Sequence, residues 1–183
     1  MTMHTQATRF VSAKTTPPLA PTAFREALGR FATGITVMTT HDDEEGQYGV
    51  TATSFSSLSL DPPLVQWSLR NEAYSLPIFL SAQRFAVNIL AADQEEVSRR
   101  FATADVDRFA DLDLEEGLAE MPLIKGAAAW IECCLETTLP GGDHTILVGR
   151  VLRARTFPEP PLLLWRGDYL PIDEETRQPR GTA

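Results

Sequence analysis

Two long runs, AAAWIECCLETTL (127–139) and TILVGRVLRAR (145–155), stand on either side of PGGDH. Both are dominated by β-branched and large apolar residues, which suit a pleated, half-buried surface. The link is short and carries two glycines, so the chain can reverse tightly between them. The pair predicts a long antiparallel hairpin and makes a sheet the framework of the fold. Shorter runs of the same character extend it. ITVMTT (35–40) and YGVTATSF (48–55) flank an acidic loop, HDDEEGQ (41–47), and read as a second hairpin. LVQWSL (64–69), FAVNIL (85–90) and PLLLW (161–165) complete about seven strands. Most links are hairpin-length, so the expected fold is mainly β, an antiparallel sheet closed into a barrel with a few short inserted helices.

Three helices are expected. Thr22 is placed to cap one that carries Phe24, Leu28 and Phe31 on one face and ends at Gly34. Ser75 is placed to cap SLPIFLS, with Pro77 in its first turn. DQEEVSRRFA (93–102) has Asp93 as its expected cap, Glu96 completing a capping box, and Arg99 and Arg100 near its C-terminal end, where positive charge suits the dipole. Residues 103–125 read mostly as loop. One domain over 22–172 fits a chain of 183 residues, with tails expected at 1–21 and 173–183.

Charge and composition exclude several classes. A net charge of −9 argues against nucleic acid and anionic membrane surfaces as partners, because both demand a basic face. No apolar run approaches the roughly 20 residues of a membrane span. The adjacent Cys133 and Cys134 point to opposite faces of a strand and form no pair, which suits a reducing cytoplasm. With three histidines and no His/Cys cluster at ligand spacing, no metal site is expected. Dinucleotide, P-loop and nucleophile-elbow motifs are absent.

Three segments carry candidate chemistry. In GVTATSFSSLSLDPPL (49–64), six of sixteen residues are Ser or Thr, and the strand alternation fails just after Thr51. A strand that breaks into hydroxyls and small residues can cradle a ligand rich in carbonyls, ring nitrogens and phosphate, as a flavin is. The residues alone favour a hydroxyl-rich loop over a barrel end, with the ligand cradle as the alternative. SLRNEAYS (68–75) places Arg70 and Asn71 before a helix start, a natural phosphate seat or an ordinary turn. PGGDHTILVG (140–149) places His144 beside Asp143 at a strand entrance, either to touch a second substrate or to finish a hairpin.

In this order, GRFATGITVMTT, GVTATSFSSLSLDPPLVQWSL, FAVNILAADQEEVSRRFA, DRFA and GGDHTILVGRV resemble the flavin reductase family, whose fold is the FMN-binding split β-barrel. The resemblance covers about residues 22–170. It implies a homodimer that reduces FMN or FAD with NADH or NADPH and hands the reduced flavin to a separate flavin-dependent monooxygenase. It places Thr51, Ala52, Thr53 and Ser54 against the isoalloxazine and ribityl chain, and Ser68, Leu69, Arg70 and Ser75 along the ribityl phosphate. It gives Arg99 and Arg100 a role near the phosphate or adenylate, and sets His144 beside the nicotinamide. The chain departs from the family pattern at Trp67 and in the acidic loop 41–47, so the resemblance does not fix the flavin it prefers. Two other activities fit the same fold: an oxidase or electron carrier that keeps its FMN, and a non-catalytic flavin-binding protein.

Overall fold

A computed structural model describes residues 19–170 and 172. The expected tails, apart from residues 19–21, lie outside them. In chain order the elements are α1 (Pro21–Leu28), β1 (Thr33–Gly34), β2 (Thr36–Asp42), β3 (Gly46–Ala52), β4 (Ser56–Leu60), β5 (Pro63–Arg70), α2 (Ser75–Ala82) and β6 (Arg84–Ile89). There follow α3 (Glu95–Ala102), β7 (Leu114–Glu116), β8 (Pro122–Ile124), β9 (Ala129–Gly141), β10 (His144–Thr156), β11 (Leu163–Trp165) and β12 (Asp168–Leu170).

The long hairpin forms as expected and is the spine of the molecule. β9 and β10 pair from Gly141–His144 to Ala129–Thr156, with two irregularities that bend the ribbon. Around it a seven-stranded sheet runs in the order β3-β2-β6-β9-β10-β5-β4, with every neighbouring pair antiparallel. Its two edge strands, β3 and β4, are consecutive in sequence. Only Thr53, Ser54 and Phe55 join them, so the sheet curls until these strand ends lie within roughly 14 Å of each other. No ladder pairs β3 with β4, and the barrel is therefore split rather than closed.

Two cores account for the burial on both faces of β2. Inside the curl, Met38, Trp67, Phe79, Phe85, Val87 and Leu147 pack together. Trp67 meets Phe79 and Phe85 edge-on, with centroids 5.0 and 5.8 Å apart, so α2 plugs one end of the barrel through Phe79. Gly149 on β10 is required there, since a Cβ at that position would lie 2.3 Å from the Phe85 ring. Outside the curl, Ile35, Val37, Leu90, Phe101, Ile124 and Leu162 form the second core beneath α3.

Several local expectations are corrected. The seventh strand of the main sheet is β4, read from sequence as loop, whereas PLLLW supplies β11 of a separate small sheet with β1 and β12. β12, β7 and β8 were not expected; at three residues each they are too short to show a period. Thr22 does not cap α1; Ala20 holds that position and Pro21 opens the helix. The Phe24, Leu28 and Phe31 face does not reach a core and stays 50, 56 and 76% exposed among the described residues. Ser75 is the first residue of α2 rather than its cap. The cap position of α3 is Gln94, not Asp93; its side chain binds Ala91 N and Lys125 O, and Glu96 pairs with Arg100 instead of closing a capping box.

Candidate functional site

The split opens on a cleft of about 540 Å³. One wall comes from the end of β3 and its exit, with Thr51, Ala52, Thr53 and Ser54. The facing wall comes from the end of β5, with Ser68, Leu69 and Arg70, and from Ser75 at the start of α2. His144, the first residue of β10, sits directly opposite Arg70 in the strand register and closes one side. Ala102, Ala104, Arg108, Tyr48 and Tyr74 complete the rim. Nine of the candidate residues thus share one cavity.

Their hydroxyls do different work. Ser54 Oγ accepts from Ser68 N at 3.0 Å and donates to Ser68 O at 3.1 Å, which clasps the β3–β4 connection to β5. Thr51 Oγ1 donates to Ser98 O at 2.7 Å and ties β3 to α3. Ser75 is only 5% exposed, yet its hydroxyl caps no N–H of its own helix. It lines the cleft at the helix N-terminus, where the dipole favours an anion, although Leu76 N already donates to Ala73 O and Pro77 has no N–H. Arg70, exposed on the same wall, adds a full positive charge.

The turn behind His144 is well tied. Asn71 N donates to Asp143 O at 3.0 Å, Asn71 Nδ2 to Gly142 O at 3.1 Å, and Thr145 Oγ1 to Asn71 Oδ1 at 2.8 Å. His144 Nδ1 lies 2.8 Å from Asp143 Oδ1. That hydrogen bond, with the nearby positive charge of Arg70 contributing, holds the Asp143 carboxyl below the usual carboxylate range.

Arg99 and Arg100 do not line the cleft. Arg99 forks onto Glu95 Oε1 at 2.7 and 2.9 Å and lies over the Tyr169 ring. Arg100 donates to Ala110 O at 2.6 Å and pairs with Glu96. The helix-end position that made them attractive also gives each an i−4 carboxylate. The second cation of the cleft is Arg108, which the site reading missed. It follows α3 within the quoted DRFA motif, and nothing in that short loop marks its side chain as returning to β3. A second cavity, of about 410 Å³, is lined by Asp42, Asp43, Glu44 and Glu120 together with His41 and Arg84. Its four carboxylates outnumber the one guanidinium and disfavour a phosphorylated ligand, so the first cleft is the candidate site.

A split antiparallel barrel with a hydroxyl-lined cleft, small residues at Ala52, Ala102 and Ala104, and an anion seat at a helix N-terminus defines a flavin- or nucleotide-binding class. That donor set fits a flavin: Ser75 and Arg70 could take a phosphate, and the small alanines leave room for a flat ring. The flavin reductase like domain family matches residues 28–173, and the chain belongs to that family. It is 40% identical over 163 residues to the reductase subunit HsaB of a flavin-dependent monooxygenase of Mycobacterium tuberculosis, with 87% of this chain and 86% of the relative covered. It is 44% identical over 147 residues to the FMN reductase (NADH) SmoA of Agrobacterium fabrum, with 80% and 83% covered. Among solved structures, the NADH:FAD oxidoreductase SgcE6 of Streptomyces globisporus, in complex with NAD and FAD fragments, superposes with a TM-score of 0.81 at 35% identity over 87% of this chain and 99% of that one. The chain spans only 42% of the length of a further relative, a "Probable flavin reductase" of Rhizobium meliloti.

Proposed function

We propose that the chain is an NAD(P)H-dependent flavin reductase that supplies reduced FMN or FAD to a separate monooxygenase. The observation that carries this reading is the position of Ser75, the first residue of α2, on a cleft whose other walls bear Arg70 and His144. When bound, the nicotinamide supplies a hydride and the flavin accepts it. The residues of the chain bind and orient. Ser75, the α2 N-terminus and Arg70 hold the flavin phosphate. The Thr51–Ser54 segment, clasped to β5, presents backbone and small side chains to the ring and ribityl chain. His144, steadied by Asp143, positions the nicotinamide over the flavin and transfers no proton. Stacking two flat rings at contact distance makes the encounter nearly unimolecular. Thr53, Ser54 and Arg70 remain exposed, which favours a flavin that exchanges over one that is retained.

The reading extends to a cytoplasmic homodimer. Its support is the apolar surface left uncovered on α1, together with Leu58 and Leu60 on the edge strand β4, at 48 and 95% exposure. The PPLLLW segment buries Leu162 in the second core. Both thiols are free, with Cys133 buried. No helix among the described residues is long and apolar enough to cross a membrane.

The test is fluorescence titration with FMN and FAD, followed by NADH and NADPH oxidation with free flavin in excess. Binding at micromolar levels with multiple turnovers is the expected result. Failure of both flavins to bind would overturn the reading. Tight binding without turnover would make the protein a flavin carrier.

A further inference from the structure

The cleft that holds Ser75 and Arg70 also has an aromatic and cationic rim. Tyr74 immediately precedes Ser75, and its ring is 68% exposed on the cleft rim. Tyr48 stands behind it, with ring centroids 6.2 Å apart and planes tilted by 47°. Arg108 lies over Tyr48, its Cζ 5.3 Å from the ring centre. The guanidinium is held rigidly: Nε and Nη2 both donate to Thr103 O, at 3.2 and 3.0 Å, and Nη1 donates to Gly49 O at 2.8 Å. Of its five N–H groups this leaves one on each terminal nitrogen. At its far tip, the Tyr74 hydroxyl donates to Glu45 Oε2 at 3.3 Å, so the acidic hairpin tip fixes the ring's position. The negative charge of Glu45 also raises the Tyr74 pKa, which keeps the phenol neutral.

A ligand that ends at the first phosphate has no use for this wall. One that carries a second phosphate and a flat base finds a fixed cation and an aromatic face on the same cleft. FMN is the first kind and FAD the second. We infer that Tyr74, Tyr48 and Arg108 seat the adenylate half of FAD, and that the chain selects FAD over FMN. The inference rests on the reading of Ser75 and the α2 N-terminus as the flavin phosphate seat. It also gives the acidic loop 41–47 a task, since Glu45 braces the aromatic wall. An adenylate is also carried by NADH, so the experiment must separate the two sources.

The experiment measures dissociation constants of FMN and FAD, and the KM for NADH with FMN saturating, for the wild type and for Tyr74→Leu, Arg108→Gln and Tyr74→Phe. FAD should bind the wild type at least about tenfold more tightly than FMN, tenfold being the scale of a single charge-assisted hydrogen bond. Tyr74→Leu and Arg108→Gln should each remove most of that preference while FMN affinity moves by less than about twofold; Tyr74→Phe, which keeps the ring, should retain it. Arg108 also ties Gly49 to Thr103, so Tyr74→Leu, at an exposed position, carries the test if Arg108→Gln folds poorly. Equal affinity for the two flavins, or variants that weaken both alike, would overturn the inference and leave the flavin site standing. A rise in KM for NADH with an unchanged flavin ratio would overturn it by assigning the wall to the nicotinamide cofactor. Loss of all flavin binding by the wild type would remove the phosphate seat and the inference with it.

Discussion

Ser54 and Ser68 clasp the seam of the split barrel: one hydroxyl takes the N–H of Ser68 at 3.0 Å and gives its proton to the carbonyl of the same residue at 3.1 Å. The two strand edges that face this seam share no ladder, so a side chain does there what a ladder does elsewhere. The sequence places Ser54 on the ligand, but in the structure its hydroxyl is spent on the protein.

Ser54→Ala should therefore weaken flavin binding through the position of residues 53–55. The expected loss of stability is small, about 0.5–1.5 kcal/mol, because the site is exposed and water can replace both bonds. Flavin affinity should fall by about tenfold, since the freed connection no longer presents its backbone in one geometry. Denaturant unfolding and flavin titration of the same variant check the pair of values. A variant that loses stability and keeps its affinity would make the clasp purely structural.

Much of this was legible in the sequence because it rests on long periodic runs and on glycines. The β9–β10 hairpin is thirteen residues a side, and the Gly142 turn at φ +77° admits few alternatives. The broken alternation after Thr51 correctly marked where β3 ends and the cleft begins. What failed was short or depended on tertiary contacts. Asp93 has the right chemistry for a cap, but Gln94 bridges Ala91 to Lys125 and shifts the cap by one residue. Arg99 and Arg100 stand at a helix end that suits a phosphate, yet their own i−4 glutamates take them. Arg108 reaches the cleft only because the loop after α3 folds back on β3, and no local pattern encodes that return.

Glu132 should matter to stability and not to turnover. It is a buried carboxylate on β9 that accepts from Leu118 N at 2.6 Å and from Arg153 Nε, so it pins the 117–120 turn to the barrel. Gly117 sits so close that a Cβ there would lie 2.6 Å from Glu132 Oε1. Glu132→Gln turns an amide N–H₂ toward one of these donors and leaves it unpaired. We expect a loss of about 2–3 kcal/mol, below the full value for breaking a buried pair because Arg153 remains partly solvated. Thermal unfolding measures it, and NADH oxidation by the still-folded variant at low temperature should match the wild type.

Asp42 gives the acidic hairpin an acid limit. Its carboxylate accepts from Glu45 N at 3.1 Å and Glu44 N at 3.0 Å, and these bonds, that to Glu45 foremost, hold it below the usual carboxylate range. A lowered folded-state pKa means that the unfolded chain binds its proton first as pH falls. The stabilisation is complete above the unfolded value of about 4 and is lost as pH drops through the folded value. Asp42→Asn should thus be less stable than the wild type by a constant margin from pH 7 to about 5, and that margin should close below about 4. A margin that stays fixed down to pH 3 in chemical denaturation would show that the charge of Asp42 contributes nothing.

His144 is where binding and turnover should separate. It opens β10 opposite Arg70, lines the cleft, and has Nδ1 engaged by Asp143 at 2.8 Å, so Nε2 is the nitrogen left for a ligand. A ring held by one nitrogen can position a nicotinamide amide without exchanging protons with it. His144→Ala should leave the flavin dissociation constant nearly unchanged and lower kcat/KM for NADH by about 1–2 kcal/mol of transition-state stabilisation, the size of one lost hydrogen bond to substrate. Asp143→Asn should give a smaller loss in the same parameter, because the ring keeps a partner of reduced strength. If His144→Ala instead releases flavin and restores normal NADH kinetics once flavin is saturating, the ring belongs to the flavin site. If it moves neither quantity, His144 only finishes the hairpin that Gly142 begins, and orienting the nicotinamide falls to other groups in the cleft.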